Sequence, residues 1–251
     1  MASHFDNLYG KTVMITGCRR GIGRTAIGLF AAQGCNLICC IRQKDEAFAK
    51  FVEQLSAQYH VKMEVLCFDI ADEEAIKGTV KMLIKEKRRV DVLVNNAGIA
   101  TGGILQMTSM KVLKEVFQIN FFSMVLLTQL VSKLMIRQHC GSIINMGSIA
   151  GLENFAGYTA YGSSKAAVMA FTRTIARELA PYGIRVNAIA PGLTDTRMAD
   201  QMEKKAEKEI IARSNMNRLG KTEEIVNMIL FLSSDNASFI TGQVYRVDGG
   251  M

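Results

Sequence analysis

The feature that most constrains the fold is a regular alternation of short apolar runs with segments of helical periodicity. The run NLICCI at 36–41 is mostly apolar on both sides, which is typical of a strand inside a parallel sheet that helices cover. No linker rich in proline or serine interrupts the alternation. We therefore predict an α/β fold in a single domain over residues 1–251: a Rossmann-type, doubly wound, parallel seven-stranded sheet with helices on both faces.

The predicted strands lie near 11–15, 36–41, 62–68, 91–94, 142–146, 184–189 and 243–247. The predicted helices are a first one that Gly34 ends, followed by helices near 45–58, 72–86, 110–138, 158–180 and 222–232.

Composition and charge exclude several classes of function. The formal net charge is +7, but the basic residues are scattered, and the one short run, KEKRR at 85–89, is typical of a solvated helix end. A nucleic-acid-binding protein would interleave basic and aromatic residues along one face, so we predict no nucleic-acid partner. The most apolar long segment, 120–136, is broken by Ser123, Gln129 and Lys133, which predicts a buried helix and no membrane span.

The six cysteines form no C-x-x-C pair, and no Cys/His cluster has the spacing of a zinc site. We therefore predict no metal and interpret the cysteines as reduced, mostly buried thiols. The first ten residues, MASHFDNLYG, lack the apolar region of a secretory signal. The expected location is the cytoplasm.

A glycine-rich turn, T16-G-C-R-R-G-I-G23, joins the first predicted strand to the first helix. Gly17 permits the tight turn, Gly21 lets the backbone approach a pyrophosphate, and Gly23 lets the helix pack close to the sheet. The helix N-terminus at Ile22 then offers free N–H groups and the positive end of the helix dipole. A glycine turn alone has an ordinary structural explanation, but between a strand and a helix it predicts a dinucleotide site.

The residues around this turn favour one dinucleotide. An NAD site places an acidic residue at the end of the second strand, where it binds the ribose 2′-hydroxyl. Here Ile41 is followed by Arg42, and Arg19 and Arg20 stand in the glycine turn itself. Guanidinium groups attract a 2′-phosphate, so we predict NADP(H), with solvated surface arginines as the alternative explanation.

Five motifs together resemble the classical short-chain dehydrogenases/reductases over nearly the whole chain. They are T16GCRRGIG23, Asp69 after the third strand, N95NAG98 after the fourth, Ser148 with Y161xxxK165, and P191G192 after the sixth. The resemblance implies that the adenine and the rest of the cofactor contact a set of residues after successive strands: Asp69, Ile70, Asn96, Gly98, Pro191, Gly192 and the backbone of Thr194. It also implies that Asn120 joins the catalytic group.

The stretch GSIAGLENFAGYTAYGSSK at 147–165 supplies the predicted catalytic group. Tyr161 and Lys165 are one helical turn apart, an arrangement that also occurs as an ordinary surface pair. Hydride transfer to a carbonyl leaves an alkoxide that needs a proton, and a free tyrosine has a pKa of about 10. The Lys165 ammonium, with the positive nicotinamide of the oxidised cofactor, is expected to lower that pKa. Lys165 is also expected to bind the nicotinamide ribose, while Ser148 holds the carbonyl oxygen. Tyr158 has Gly162 one turn on, and we expect it to line the substrate mouth.

Within the family, the forms TGxxRGIG and VDGGM are most similar to 3-oxoacyl-[acyl-carrier-protein] reductases. Those enzymes commonly carry basic residues at two positions that face the acidic carrier, and here these hold His139 and Tyr182, with Arg137 nearby. The substrate is therefore either a carbonyl linked to acyl carrier protein or a small carbonyl such as a sugar, polyol or steroid. A cofactor-binding regulator without catalysis is a third possibility.

Two expectations concern larger features. The polar segment 193–213 is predicted to be a substrate lid. The apolar stretch from Phe121 to Leu134 and the last strand supply more apolar surface than one sheet face needs, and the family pattern is a homotetramer.

Overall fold

The computed structural model describes residues 6–153, 155–196 and 209–251. All paired strands in these residues are parallel and form one sheet in the order β3-β2-β1-β4-β5-β6-β7. The predicted doubly wound, single-domain α/β fold is confirmed. The strands are β1 (Thr12–Thr16), β2 (Asn36–Ile41), β3 (Met63–Cys67), β4 (Val92–Asn95), β5 (Gly141–Met146), β6 (Ile184–Pro191) and β7 (Val244–Val247).

Helices cover both faces of the sheet. The helices of the described chain are α1 (Gly21–Ala32), α2 (Glu46–Tyr59), α3 (Glu73–Lys85), α4 (Met110–Phe117), α5 (Ser123–Gln138), α6 (Thr159–Leu179) and α7 (Thr222–Ser233).

The double-sided burial of the strands explains why they read as continuous apolar runs. Ile15 packs on one face, in a core shared with α1 and α7 that includes Phe30 and Ile229. Its neighbour Met14 packs on the other face, in a core shared with α3 and α5 that includes Leu127. Successive side chains of a strand point to opposite faces, so a strand covered on both sides must be apolar throughout.

The chain is helical throughout the predicted range 110–138, but it is not a single α-helix. Between α4 and α5 the chain makes a five-residue π-helical turn, Gln118–Phe122, which contains Asn120. The path Met110–Gln138 is long and apolar enough to cross a membrane by length and composition, and half of its most apolar window is buried inside the protein. Its buried side chains pack against α3, β4 and β5, so this helix contributes to the core of the domain.

The strand order places the candidate site. The chain reverses its direction of travel across the sheet between β1 and β4, and ligands of such sheets bind outside the carboxyl ends of the strands at that point. The turns after β1, β4, β5 and β6 therefore meet at one edge. Of the predicted lid, residues 197–208 lie outside the described residues, and the prediction stays untested.

Candidate active site

The glycine turn has a shape that side chains would prevent. Gly17 and Gly21 have φ values of +67° and +55°, which glycine adopts at little cost. A Cβ at Gly17 would lie 2.8 Å from the Cα of Ala97, and a Cβ at Gly23 would lie 2.5 Å from the carbonyl oxygen of Gly17. The turn and the start of α1 are thus in backbone contact, as the motif predicts.

The side chain of Asn96 is hydrogen-bonded to the glycine turn. Its side-chain amide donates to the carbonyl oxygens of Thr16 at 3.0 Å and Gly17 at 3.1 Å. The hydroxyl of Thr16 in turn accepts from the backbone N–H groups of Asn96 at 3.1 Å and Ala97 at 3.0 Å. These bonds couple the ends of β1 and β4, so Asn96 fixes the shape of the predicted cofactor cradle.

The N-terminus of α1 differs from those of the next three helices. Asp45, Asp72 and Ser109 cap α2, α3 and α4 with side-chain oxygens. The N-cap residue of α1, Arg20, makes no such bond, and the first turn of α1 contains no acidic residue. Free N–H groups and the positive dipole end suit a phosphate, so the cradle fits the pyrophosphate of a nicotinamide dinucleotide.

The predicted ribose end of the cradle contains an acid that the sequence analysis missed. Arg20 and Arg42 are exposed there. The Nε of Arg19 lies 3.5 Å from the Oδ2 of Asp45, whose Oδ1 accepts from the N–H of Phe48 at 3.0 Å. The sequence contained a signal for this acid: Asp45 stands immediately before a predicted helix, which is typical of an N-cap.

Asp69 and Ile70 follow β3, beside the end of β2. Asp69 is exposed and Ile70 half-buried, and the Oδ1 of Asp69 accepts from the N–H of Ala71 at 2.9 Å. Both lie on the same side of the switch point as Arg42, where the adenosine was predicted.

The predicted catalytic side chains come together at the end of β5. The side chains of Ser148 and Tyr161 are hydrogen-bonded to each other. The Nζ of Lys165 lies 5.8 Å from the centroid of the Tyr161 ring and donates to the carbonyl oxygen of Met146 at 2.7 Å. Lys165 is buried, with 5% of its surface exposed, so it cannot be an ordinary solvated surface lysine.

Two glycines allow α6 to approach the turn that carries Ser148. A Cβ at Gly162 would lie 2.6 Å from the carbonyl oxygen of Ala150, and a Cβ at Gly151 would lie 2.6 Å from the backbone nitrogen of Ala166. The close approach brings a strand-end serine within reach of a helix tyrosine thirteen residues later.

Burial sets the ionisation of this group. It raises the pKa of Tyr161, while the hydrogen bond from Ser148 acts in the opposite direction. Burial also lowers the pKa of Lys165, to about 8. In the protein by itself desolvation dominates and the lysine bonds to Met146. Tyr161 accordingly carries its proton at neutral pH, as a proton donor must. The lowering expected from Lys165 together with the oxidised nicotinamide stays a prediction.

Asn120 stands behind Lys165 on the π-helical turn, a local form frequent at functional sites. Its Oδ1 accepts from the N–H of Ile99 at 2.9 Å, and its Nδ2 donates to the carbonyl oxygen of Ile99 at 2.9 Å and to the Oγ of Ser164 at 3.0 Å. A Cβ at Gly98 would lie 3.1 Å from the Oδ1 of Asn120 and 3.5 Å from the Nζ of Lys165. Asn120, Gly98 and Lys165 are thus direct neighbours.

The turn after β6 completes this edge of the sheet. Gly192 donates its N–H to the carbonyl oxygen of Val247 at 3.0 Å, directly after Pro191, the last residue of β6. Thr194 is buried, and its hydroxyl donates to the carbonyl oxygen of Gly192 at 3.0 Å. The methyl group of Thr196 lies 3.3 Å from where a Cβ at Gly21 would be, so this turn reaches across to the glycine turn.

The mouth of the site is aromatic. The ring of Tyr158 lies 6.2 Å from that of Tyr161 and 6.4 Å from that of Phe155. The guanidinium carbon of Arg213 lies 5.1 Å from the centroid of the Phe155 ring. Tyr158 thus lies beside Tyr161, and that it lines the substrate mouth stays a prediction. Phe155 and Arg213 were missed as members of this row because only the tertiary fold brings them together.

Arg137 and His139, which were considered for docking of a carrier protein, lie far from Ser148 and Tyr161. Arg137 is in the last turn of α5 and His139 caps it, just before β5 begins. Ser148 follows the other end of the same strand. Arg137 and His139 are therefore at the opposite edge of the sheet from the catalytic group of the same chain.

Comparisons with known proteins agree with this geometry. A family model described as enoyl-(acyl carrier protein) reductase matches residues 17–251. The chain is 38% identical to the 3-oxoacyl-[acyl-carrier-protein] reductase of Thermotoga maritima over 246 residues, which are 97% of this chain and 98% of that one. The chain belongs to the short-chain dehydrogenase/reductase family. It is also 33% identical to the 3-oxoacyl-[acyl-carrier-protein] reductase of Escherichia coli K12, over 98% of each chain.

Among solved structures, a protein of Agrobacterium tumefaciens provisionally described as a gluconate dehydrogenase superimposes with a TM-score of 0.93 at 30% identity, over 98% of each chain. The protein is thus an oxidoreductase that interconverts C=O and CH–OH groups, and its fold implies a nicotinamide cofactor. Among the described residues, no group of three or more His, Cys, Asp or Glu side chains is arranged to hold a metal ion.

Proposed function

We propose that this protein reduces a carbonyl to a secondary alcohol with NADPH, and that its substrate is a 3-oxoacyl group carried by acyl carrier protein in fatty acid synthesis. The names of the curated relatives support the substrate class. The observation that carries the reaction is the trio at the end of β5, in which Ser148 bonds to the half-buried Tyr161 and the buried Lys165 lies 5.8 Å from the Tyr161 ring.

The bound nicotinamide supplies a hydride to the carbonyl carbon. On the protein side, the hydroxyls of Ser148 and Tyr161 donate hydrogen bonds to the carbonyl oxygen. As negative charge builds on that oxygen, Tyr161 releases its proton to it and the alcohol forms. The ammonium of Lys165 stabilises the remaining phenolate, and Asn120 holds Lys165 in place through the backbone at Ile99 and the hydroxyl of Ser164.

Two adjacent hydroxyls favour reduction of C=O over reduction of C=C. In carbonyl reduction one oxygen receives both the charge and the proton, so two donors can converge on it. In enoyl reduction the charge develops on the thioester oxygen as an enolate but the proton is finally delivered to carbon, so charge and proton end on different atoms. The pair Ser148 and Tyr161 therefore favours the 3-oxoacyl reaction of the named relatives over the enoyl reaction in the family description.

The choice of NADPH over NADH is supported by charge. Arg20 and Arg42 are exposed, and neither forms an ion pair with a carboxylate of the described residues, so both are able to fork onto a 2′-phosphate. Arg19 stands with them but is shared with Asp45, at 3.5 Å. Ile41 leaves the end of β2 without the acid that a ribose 2′-hydroxyl prefers.

A small-carbonyl reductase is the second candidate, for two reasons. The positions that commonly meet the carrier hold His139 and Tyr182, and Arg137 lies at the far edge of the sheet from Ser148. The similar Agrobacterium structure carries the name of a sugar-acid dehydrogenase. A regulator without catalysis is disfavoured, because it would have no use for a buried lysine beside a tyrosine.

The test is NADPH oxidation with a 3-oxoacyl group on acyl carrier protein, the same acyl group on pantetheine, and a panel of ketones, sugars and steroids. We expect the carrier-linked substrate to have the highest kcat/KM, with a steep fall in salt, while the pantetheine thioester shows little salt effect. Coinciding salt profiles would favour the small-carbonyl reductase. Turnover of no substrate at all by the wild type would leave the regulator as the better proposal.

The assembly and location stay predictions. Phe122 on the π-helical turn is 53% exposed, and its ring packs with those of Phe117 and Phe121 in an apolar surface cluster. Such a cluster suits a helix-to-helix contact between copies of the chain, in keeping with a cytoplasmic homotetramer. A monomeric mass by light scattering at micromolar concentration would contradict it.

A further inference from the structure

An arginine stands at the outer end of an aromatic row that leads to the proton donor. Arg213 lies over Phe155 at 5.1 Å, Phe155 lies 6.4 Å from Tyr158, and Tyr158 lies 6.2 Å from Tyr161. Arg213 is exposed, and the rings of Phe155 and Tyr158 are half-buried. A substrate that places its carbonyl at Tyr161 and extends along this row meets the guanidinium on its way to solvent.

The backbone at Arg213 is anchored to the nicotinamide side of the site. The next residue, Ser214, is buried, and its hydroxyl donates to the carbonyl oxygen of Gly249 at 3.0 Å. The adjoining Asp248 packs so closely on Gly192 that a Cβ there would lie 2.7 Å from the Asp248 Cα. The backbone next to Arg213 is therefore tied to Gly249 through the Ser214 hydroxyl.

No carboxylate of the described residues neutralises the charge of Arg213. Two other arginines near this edge are neutralised: Arg218 pairs with Glu224 at 2.7 Å, and Arg246 pairs with Asp248 at 2.6 Å. The ion pairs found within 6–153, 155–196 and 209–251 include none with Arg213. A guanidinium over a ring keeps its N–H donors free at the rim, where a phosphate or carboxylate can accept two of them.

We propose that Arg213 is a substrate-binding residue that recognises an anionic group on the carbonyl substrate, remote from the reacting carbon. The proposal rests on the reductase function proposed above. The anionic group has two chemical sources: the phosphate of a phosphopantetheine arm that links the acyl group to a carrier, or the carboxylate of an oxo acid. In both cases the aromatic row is the surface along which the uncharged middle of the substrate lies.

The test uses substrate pairs that differ only in charge. One pair is 3-oxobutanoyl pantetheine and its 4′-phosphate; the other is 4-oxopentanoate and its methyl ester. Each is assayed with wild type, Arg213→Met, which keeps an aliphatic chain on the ring, and Arg213→Lys, which keeps the charge. Lys81→Met is the matched control, because Lys81 is exposed in the half of α3 away from this edge.

We expect Arg213→Met to raise KM for the anionic member of one pair by about tenfold and to change the neutral member by less than about twofold. Arg213→Lys should recover part of the loss, and Lys81→Met should change neither. A response confined to the phosphate pair identifies the carrier arm as the source, and one confined to the carboxylate pair identifies an oxo acid. Equal KM changes for both members, or none, overturn the proposal.

A binding measurement separates this proposal from the reductase function. Calorimetry in the presence of NADP⁺ compares pantetheine, 4′-phosphopantetheine, 4-oxopentanoate and its methyl ester on wild type and Arg213→Met. If no substrate is turned over but an anion binds more weakly to Arg213→Met, the reductase proposal fails and the anion site stands. If turnover is normal and no anion binding depends on Arg213, the anion site fails and the reductase stands.

Discussion

The turns after β1 and after β5 lie at the same edge of the sheet, yet they are built on different principles. The turn after β1 depends on its backbone, because its three glycines have no side chains and the helix α1, which follows directly, has an uncapped N-terminus. The turn after β5 depends on side chains, since Ser148, Tyr161 and Lys165 lie together and burial shifts the pKa values of Tyr161 and Lys165. A phosphate can be bound by backbone shape, whereas proton transfer requires particular ionisable groups.

The comparison predicts the largest effect for the loss of one catalytic atom. Tyr161→Phe removes the proton donor and leaves the glycine turn untouched. We expect kcat to fall by about 10²- to 10⁴-fold, with the Kd of NADPH within about twofold of wild type. Stopped-flow turnover and NADPH fluorescence titration measure the two quantities. An unchanged kcat would remove Tyr161 from the catalytic group.

In the glycine turn, we expect cofactor binding to be sensitive to the volume of an added side chain. Gly23→Ala places a Cβ 2.5 Å from the Gly17 carbonyl oxygen and 2.6 Å from the Nδ2 of Asn96, so the turn must open. We expect the Kd of NADPH to rise by about 100-fold, equivalent to about 3 kcal/mol. Gly28→Ala is the matched control in the same helix, because nothing lies within 4 Å of the added carbon. It should leave the Kd unchanged and raise stability by up to about 1 kcal/mol. Equal Kd values for both variants contradict this account.

The turn after β5 should respond to pH through Lys165. Its pKa is about 8 in the folded protein against the ordinary 10.5, so above pH 8 the unfolded chain binds a proton that the folded protein has released. The free energy of unfolding should therefore rise with pH, by about 2 kcal/mol from pH 8 to about 9.5, and stay flat below.

Lys165→Met is the reference for that measurement, because the pH dependence of cysteines and Tyr161 is common to both proteins and subtracts out. Denaturant unfolding at several pH values gives the difference. A difference that is constant from pH 7 to about 9.5 would show that Lys165 keeps its proton on folding.

The smallest expected effects concern the arginines beside the glycine turn. Arg42→Ala should weaken NADPH by about tenfold and leave NADH nearly unchanged. Asp45→Asn keeps the cap of α2 but frees Arg19, so it should strengthen NADPH binding by about threefold. Calorimetry with both cofactors measures the ratio. Equal affinity of the wild type for NADH and NADPH would contradict the proposed preference for NADPH.

The sequence alone was sufficient for the sheet and for the glycine turn. Strands covered on both faces, such as β2, are apolar at most positions, and a chain of alternating strands and helices has few ways to wind. The strand and helix ends fell within one or two residues of the prediction, but the π-helical turn Gln118–Phe122 divides the helix that was predicted over 110–138. Gly17, Gly21 and Gly23 could be assigned because each occupies a place where a Cβ is unfavourable or excluded.

Only the tertiary structure decided what depends on neighbours distant in the chain. The partnership of Arg19 with Asp45, the row from Arg213 to Tyr161, and the separation of Arg137 from Ser148 join residues that no local pattern relates. The same holds for ionisation: burial raises the pKa of Tyr161, and the spacing of Tyr161 and Lys165 does not reveal that contribution. Backbone shape and periodicity are local properties that a sequence encodes directly, whereas desolvation and charge pairing depend on everything that packs around a group.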